Sequence, residues 1–315
     1  MLAIFSLFPG GGMHYFPLIL FSLLLMANCG NQQQKRKPNI KIKKGSVIYG
    51  ENDIKEYYQI DSLKLRSYAQ SIAVQVPKTL LQLEDSHYLI NHEKMGSLNL
   101  CEDQDDFHRR LSSQPPIGIC TAFLVSEKTL LTAGHCLDEI DYCQNSFWVF
   151  DFKIQEEHDN NISFPEENIY SCHKVLAHNK ILDYALIELD RKTQKRTPLK
   201  LRQRKRLLSN APLVVVGFPE GWPLKYSLNS KIRENDGENF FVINSDTFEG
   251  NSGSPVINTK NGLVEGILIS GEKDFNGNQS SPAPCQTLKR CPEDQCIGEN
   301  ILRITSLTEN FLNGY

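Results

Sequence analysis

Between residues 120 and 270 the chain is a series of short apolar runs. Each is broken by turn residues before two turns of helix could be completed. "AFLVS" (Ala122–Ser126) and "TLLTA" (Thr129–Ala133) flank a Glu-Lys turn and read as a hairpin. "FWVFDF" (Phe147–Phe152), "YALIEL" (Tyr184–Leu189), "LVVVGF" (Leu213–Phe218), "FFVINS" (Phe240–Ser245), "SPVIN" (Ser254–Asn258) and "VEGILIS" (Val264–Ser270) read as further strands. They are rich in β-branched and aromatic residues, and no long helical period or internal repeat interrupts them. Many short strands with frequent turns predict an all-β protein, built as barrels or sandwiches. A short helix is expected near the C-terminus, over "SLTENFLN".

The chain is long enough to bury a sizeable core: 315 residues, 40% hydrophobic and 23% charged. That fits one large domain or two small ones. Net charge is −3, from 34 Lys+Arg against 37 Asp+Glu, which argues against a nucleic-acid partner. The basic runs "KRK" (Lys35–Lys37) and "KIKK" (Lys41–Lys44) are short and local, as in a solvated tether.

The first residues differ from the rest. "FPLILFSLLLMA" (Phe16–Ala27) is a twelve-residue apolar run, of signal-peptide rather than membrane-spanning length. "LMANCG" follows and resembles a bacterial lipoprotein box with Cys29 as the lipidated residue, although Asn28 replaces the usual small residue. Lipid anchorage and plain secretion both stay open. Residues 1–29 are thus expected to be a signal, 30–46 a polar tether or pro-segment, and 47–315 the folded domain. An exported chain, in the cell envelope or secreted, is the expected localisation.

Nine cysteines stand at 29, 101, 120, 136, 143, 172, 285, 291 and 296. Without Cys29 eight remain, and an even number in an exported chain argues for disulfides. The rival is a metal site, from Cys285, Cys291 and Cys296 or from Cys172 with His173 and His178. Neither group has paired C-x-x-C spacing, so no metal and no cofactor is expected. "DFNGNQ" (Asp274–Gln279) lacks the alternating ligands and distal Glu of a calcium loop and reads as an Asn-Gly turn.

Three words carry chemistry. "TAGHC" sets His135 after the hairpin. "DYALIELD" sets Asp183 at the start of an apolar strand. "EGNSGSPV" sets Ser252 in a Gly-rich loop. Serine-dependent acyl transfer needs a hydroxyl to attack, a base to take its proton, a carboxylate to orient that base, and N–H donors for the oxyanion. Ser252, His135 and Asp183 supply the first three, and the N–H groups of Gly250 and Ser252 supply the fourth. The bland alternatives are a core histidine, a strand-initiating Asp and a turn serine. The stretch is not the nucleophile elbow of α/β-hydrolases, since Ser254 stands where that motif has Gly, and chain order runs His, Asp, Ser.

These words, in this order, resemble the trypsin/chymotrypsin superfamily of serine peptidases. "GNSGSP" with Asn251, and "VVVGFP" upstream, are most similar to its bacterial V8-like, glutamyl-endopeptidase branch. The resemblance runs from about Val47 to the end. It implies two six-stranded antiparallel barrels with the active site in the cleft between them. His135 and Asp183 would lie on the first (about 47–195) and Ser252 on the second (about 196–315), with the link near Arg191–Lys200. It implies the roles just given and a Cys120–Cys136 disulfide bracing the histidine loop. Asn251 departs from trypsin-type enzymes, which hold there an Asp that pairs with a newly cut N-terminus. "VIYG" from Val47 nevertheless resembles mature N-termini of the family, so cleavage before Val47 is an expectation.

By the same resemblance, Asp246 stands where a carboxylate receives an Arg or Lys side chain of the substrate, and Thr247 lines the pocket. Leu268 stands where glutamyl-specific relatives carry His, so a glutamyl preference is not expected. Ile269, Ser270 and Gly271 would form the edge that pairs with the substrate backbone. The partner is then a protein or peptide substrate. A quality-control protease with an appended peptide-binding domain is a weaker expectation, because little chain follows Ser252 for the remaining barrel strands and such a domain. The alternative function is a non-catalytic envelope protein using a peptidase fold as a binding module.

Overall fold

The computed structural model describes residues 47–96, 100–101, 106–138, 141–157, 162–278 and 285–307. The apolar run Phe16–Ala27, Cys29 and the tether to residue 46 lie outside these, as does the C-terminal stretch from 308 on which the expected helix falls.

Twelve strands build two barrels. The first contains β1 (Ile72–Pro77), β2 (Cys120–Leu124), β3 (Thr129–Ala133), β4 (Ser146–Phe150), β5 (Ile169–Asn179) and β6 (Tyr184–Leu189), closed in the order β5-β6-β3-β2-β1-β4. The second contains β7 (Leu213–Gly217), β8 (Lys225–Glu234), β9 (Phe240–Asn244), β10 (Pro255–Asn258), β11 (Leu263–Ser270) and β12 (Glu299–Arg303). Its order is β11-β10-β7-β8-β9-β12, and β12 returns to β11 to close the ring. Every neighbouring pair in both rings is antiparallel.

Unbroken apolar runs, rather than alternating ones, follow from burial on both strand faces. Side chains of a strand alternate between its two sides. In β4, Val149 joins one apolar cluster while Trp148 and Phe150 join another. In β7, Val214 and Val216 go to the first of these while Leu213 and Val215 go to a third. The shared cluster runs through both barrels, joining Val74, Phe123 and Leu131 of the first to Val216, Ile257 and Ile267 of the second.

The expected start of the first barrel at Val47 needs one correction. Ile54–Glu56 pairs with Lys225–Ser227 of β8, and Ile48–Tyr49 pairs in parallel with Arg290–Cys291. The first segment of the folded chain therefore belongs to the second barrel. A buried ion pair fixes it there: Lys225 Nζ lies 2.9 Å from Glu56 Oε2 and donates to Gln114 Oε1 at 2.6 Å.

All eight cysteines of the described residues are bridged: Cys101–Cys285, Cys120–Cys136, Cys143–Cys172 and Cys291–Cys296. The first ties the long excursion between β1 and β2 to the loop after β11. Among the described residues no helix is long and apolar enough to cross a membrane.

Candidate active site

His135 sits in a single 3-10 turn, Gly134–Leu137, at the end of β3. Asp183 immediately precedes β6, the neighbour of β3, and Tyr184 pairs with Ala133. The pairing brings the two side chains together. Asp183 Oδ2 lies 2.8 Å from His135 Nδ1, and Oδ1 accepts the His135 backbone N–H at 2.7 Å. Both oxygens thus hold one residue, and the carboxylate is buried. With Nδ1 donating to Asp183, Nε2 carries the lone pair and is free to act as base.

Two local features make room for this. A Cβ on Gly134 would stand 2.9 Å from Tyr184 N and 3.0 Å from Asp183 Oδ1. Asp183 itself has φ +59°, a left-handed conformation that a non-glycine residue adopts only when its surroundings impose it.

Ser252 lies on the loop between β9 and β10, pressed against the strands that carry His135. The Thr121 N–H donates to Ser252 O at 2.8 Å, and Cys136 Sγ is 3.7 Å from the same oxygen. The Thr121 hydroxyl donates to Gly250 O (2.8 Å) and accepts from Phe218 N–H (3.2 Å), a bridge between the barrels. Gly253 N–H donates to Leu268 O (2.7 Å), and Leu268 N–H to Ser254 O (3.0 Å). Gly250 and Gly253 take φ +89° and +91°. A Cβ on Gly253 would be 2.0 Å from Thr121 O. Among the described residues, the N–H groups of Gly250 and Ser252 and the Ser252 hydroxyl donate to no protein acceptor.

The expected substrate residues fall as follows. Asp246 is buried, with its carboxylate turned to the first segment of the domain: Oδ1 accepts Tyr49 N–H (2.7 Å) and Oδ2 accepts Asp53 N–H (3.0 Å). Burial pushes its carboxyl up to about 6. Thr247 is fully buried and donates to Glu299 Oε2 at 2.9 Å. Glu299, absent from the sequence reading, also accepts from the Tyr49 hydroxyl at 3.3 Å. Nothing local in "IGENIL" marks it. Leu268 joins the second-barrel core, and the β11–β12 register shifts between Leu268 and Ser270, leaving a bulge at Ile269. Ser270 accepts from the Asn300 side chain at 3.2 Å.

The thiolates of the rival metal readings are not available, because Cys172, Cys285, Cys291 and Cys296 are all bridged. Cys120 and Cys136 also cluster with His135, but their sulfurs bond each other.

A family model described as Trypsin matches residues 107–289. The chain belongs to the trypsin family. No curated protein matches the sequence. Among solved structures, human heparin binding protein is 13% identical with a TM-score of 0.50, covering 85% of this chain and 96% of that one. The inactive form of Rv3671c protease is 14% identical with a TM-score of 0.44, covering 80% and 89%. A serine endoprotease from Yersinia pestis is 12% identical with a TM-score of 0.43, covering 75% and 62%. At such identities the first likeness speaks to fold alone. A fold does not fix a function, so catalysis has to be argued from the site.

Proposed function

We propose that this trypsin-family chain is an exported serine endopeptidase working through Ser252, His135 and Asp183. The observation that carries the proposal is the two-oxygen grip of Asp183 on His135, opposite a loop whose Gly250 and Ser252 N–H groups have no protein acceptor.

Ser252 Oγ attacks the peptide carbonyl carbon while His135 Nε2 takes its proton. Asp183 stabilises the resulting imidazolium. The carbonyl electrons move onto oxygen, which the two N–H groups receive. Collapse breaks the C–N bond, His135 gives its proton to the leaving amine, and an ester remains on Ser252. Water then attacks that ester, with His135 again as base, and releases the acid product. The edge Ile269–Gly271 would hold the substrate backbone as an added strand. An Arg/Lys preference through Asp246 is not part of this function, because that carboxylate is buried against the main chain of residues 49–53. Placement in the V8-like branch is supported by Asn251 within "GNSGSP".

Export is supported by the four disulfides, which belong to an oxidising compartment. Cys29 is the single cysteine outside those bridges, which suits either a lipid anchor or loss with the signal. Mass spectrometry of the mature N-terminus distinguishes the two. The function itself is tested by organophosphate labelling. Labelling of the processed protein, abolished in Ser252→Ala, is expected. An unlabelled protein would favour the binding-module alternative.

A further inference from the structure

The segment that joins the two barrels is strongly basic. From Arg191 to Arg206 stand nine Lys and Arg and no Asp or Glu, in a chain whose net charge is −3. A run of charge is commonly only a solvated face, and exposed cations elsewhere are neutralised locally: Lys180 by Asp138, Lys192 by Glu127 and Lys231 by Glu293. Lys200, Arg204 and Lys205 differ. All three are exposed, and among the described residues no carboxylate lies within ion-pair distance of them.

Two neighbouring segments extend the same face. Lys200–Leu201 pairs in parallel with Leu263–Val264 of β11, which sets Lys200 beside the turn 259–262. Lys260 is exposed in that turn. Lys64, on the helix Leu63–Tyr68, donates from Nζ to Thr259 O at 2.8 Å. The Thr259 N–H donates to Pro212 O (3.0 Å), and the Ala211 N–H to Leu208 O (3.0 Å), so the turn after Arg206 joins this surface. Lys64 and Lys260 also have no carboxylate within ion-pair distance among the described residues. Two leucines stand out of the same surface, Leu63 at 79% and Leu208 at 73% exposure. Its rim is acidic: Asp61 precedes the helix, and Arg206 turns to the main-chain carbonyls of Asp236 and Gly237.

We propose that this face docks on an anionic lipid membrane, with Lys64, Lys200, Arg204, Lys205 and Lys260 against phosphate headgroups and Leu63 and Leu208 entering the interface. Headgroup phosphates supply the countercharge that the protein withholds from these five cations. Each cation near an anionic leaflet strengthens binding about fivefold at low salt. The leucines favour a bilayer over a soluble polyanion, because apolar side chains gain by entering the boundary between headgroups and acyl chains. The face lies at the far end of the second barrel from Ser252. β7 and β10 run between the two. Gly217 lies against Ser254 at the Ser252 end, whereas Leu213 pairs with Asn258 at the end that leads into the turn 259–262. The four residues of β10 alone rise about 13 Å. A domain docked this way holds the Ser252 loop off the bilayer. The inference depends neither on the peptidase reading nor on a lipid at Cys29; in an anchored chain the face sets which way the domain sits.

The test follows lysine acetylation by mass spectrometry on the processed protein, mixed with vesicles of phosphatidylcholine alone or with about 30% phosphatidylglycerol as the anionic lipid. At about 0.1 M salt the anionic vesicles should slow acetylation of Lys200, Lys205 and Lys260 about tenfold relative to neutral ones. Lys174 and Lys180, on β5 and the loop after it, should react at unchanged rates. Raising the salt to about 1 M, where charges are screened beyond about 3 Å, should remove the protection. Arg204→Gln combined with Lys205→Gln removes two cations and should lower the docked-to-free ratio about 25-fold, leaving Lys200 and Lys260 protected less than about twofold. Leu208→Ser should lower the same ratio about tenfold. Equal rates on the two kinds of vesicle, or protection shared by Lys174 and Lys180, would overturn the proposal. So would protection by soluble polyphosphate that matches the vesicles and is indifferent to Leu208→Ser, since the face would then bind a polyanion in solution.

Discussion

Replacing Asp183 by Asn tests the heart of the site, because the change is nearly isosteric and removes one acceptor. Asp183 accepts two hydrogen bonds from His135, the backbone N–H at 2.7 Å and the ring Nδ1 at 2.8 Å. An Asn has one acceptor oxygen and one donor NH2. If its oxygen keeps the backbone N–H, its NH2 faces Nδ1, which must then become the acceptor. The ring proton moves to Nε2, and the nitrogen meant to receive the Ser252 proton can no longer do so. If the amide flips, two donors meet at the backbone instead, at about 1–3 kcal/mol for a buried unsatisfied group. The first arrangement avoids that penalty and should dominate. The same tautomer error lowers kcat about 10⁴-fold in the chymotrypsin-fold example, or about 5.4 kcal/mol of barrier. Asp183→Asn should therefore fold, melt within a few degrees of the native protein, and turn over a peptide amide about four orders of magnitude more slowly. A variant within tenfold of native turnover would refute the assignment of Asp183 as the group that selects the tautomer.

Gly253→Ala places a methyl 2.0 Å from Thr121 O at φ +91°, and should destabilise the fold by about 1–3 kcal/mol in chemical denaturation. Asp53 is pushed up to about 7, first by burial and then by the charge of Asp246. The folded state thus binds more protons than the unfolded chain between about pH 4 and 7, so stability should fall as pH rises through that window. Asp53→Asn should flatten this slope in denaturation midpoints. Asn251→Asp buries a carboxylate without a cation and should destabilise by about 3–5 kcal/mol at pH 8. The loss should shrink toward pH 5 as the buried acid protonates, and a pH-independent loss would count against it.

Much of the barrel architecture was legible because it is written locally. A strand such as "LVVVGF" needs only its own residues to declare an extended, doubly buried segment, and the turns between runs declare the connections. The words around His135, Asp183 and Ser252 are also local, and β-pairing of Tyr184 with Ala133 then brings the first two together. What stayed hidden depends on residues far apart in the chain. Tyr49 and Asp246 are 197 positions apart, and no pattern near either one predicts that the carboxylate will receive main-chain N–H groups. Asp274 looked like the start of an Asn-Gly turn, although its side chain reaches back to Glu249 across 25 positions. Beyond Cys120–Cys136, the pairing of Cys101 with Cys285 was hidden for the same reason, the two being separated by 184 positions.

The placement of neutral and charged groups behind the Ser252 loop bears on how the chain reaches its working form. Asn251 is buried, and its Oδ1 accepts from Ser254 Oγ at 3.2 Å. Its contacts with Ser254, Gly217 and Phe248 are with uncharged residues. No ammonium is needed there: the side chain is a neutral amide, whose Nδ2 is buried without a hydrogen-bond partner among the described residues. The first segment of the domain instead docks through main-chain donors. Ile48 N–H donates to Lys289 O (3.1 Å), Tyr49 N–H to Asp246 Oδ1 (2.7 Å), Gly50 N–H to Cys291 O (2.7 Å) and Asp53 N–H to Asp246 Oδ2 (3.0 Å). Cleavage before Val47, which "VIYG" suggests, would leave every one of these bonds in place. Active-site labelling rates before and after trimming to Val47 should therefore agree within about twofold, less than ~0.5 kcal/mol. A rise of a hundredfold or more on trimming would mean that the new terminal ammonium finds a partner, and that the segment moves from the position it holds here.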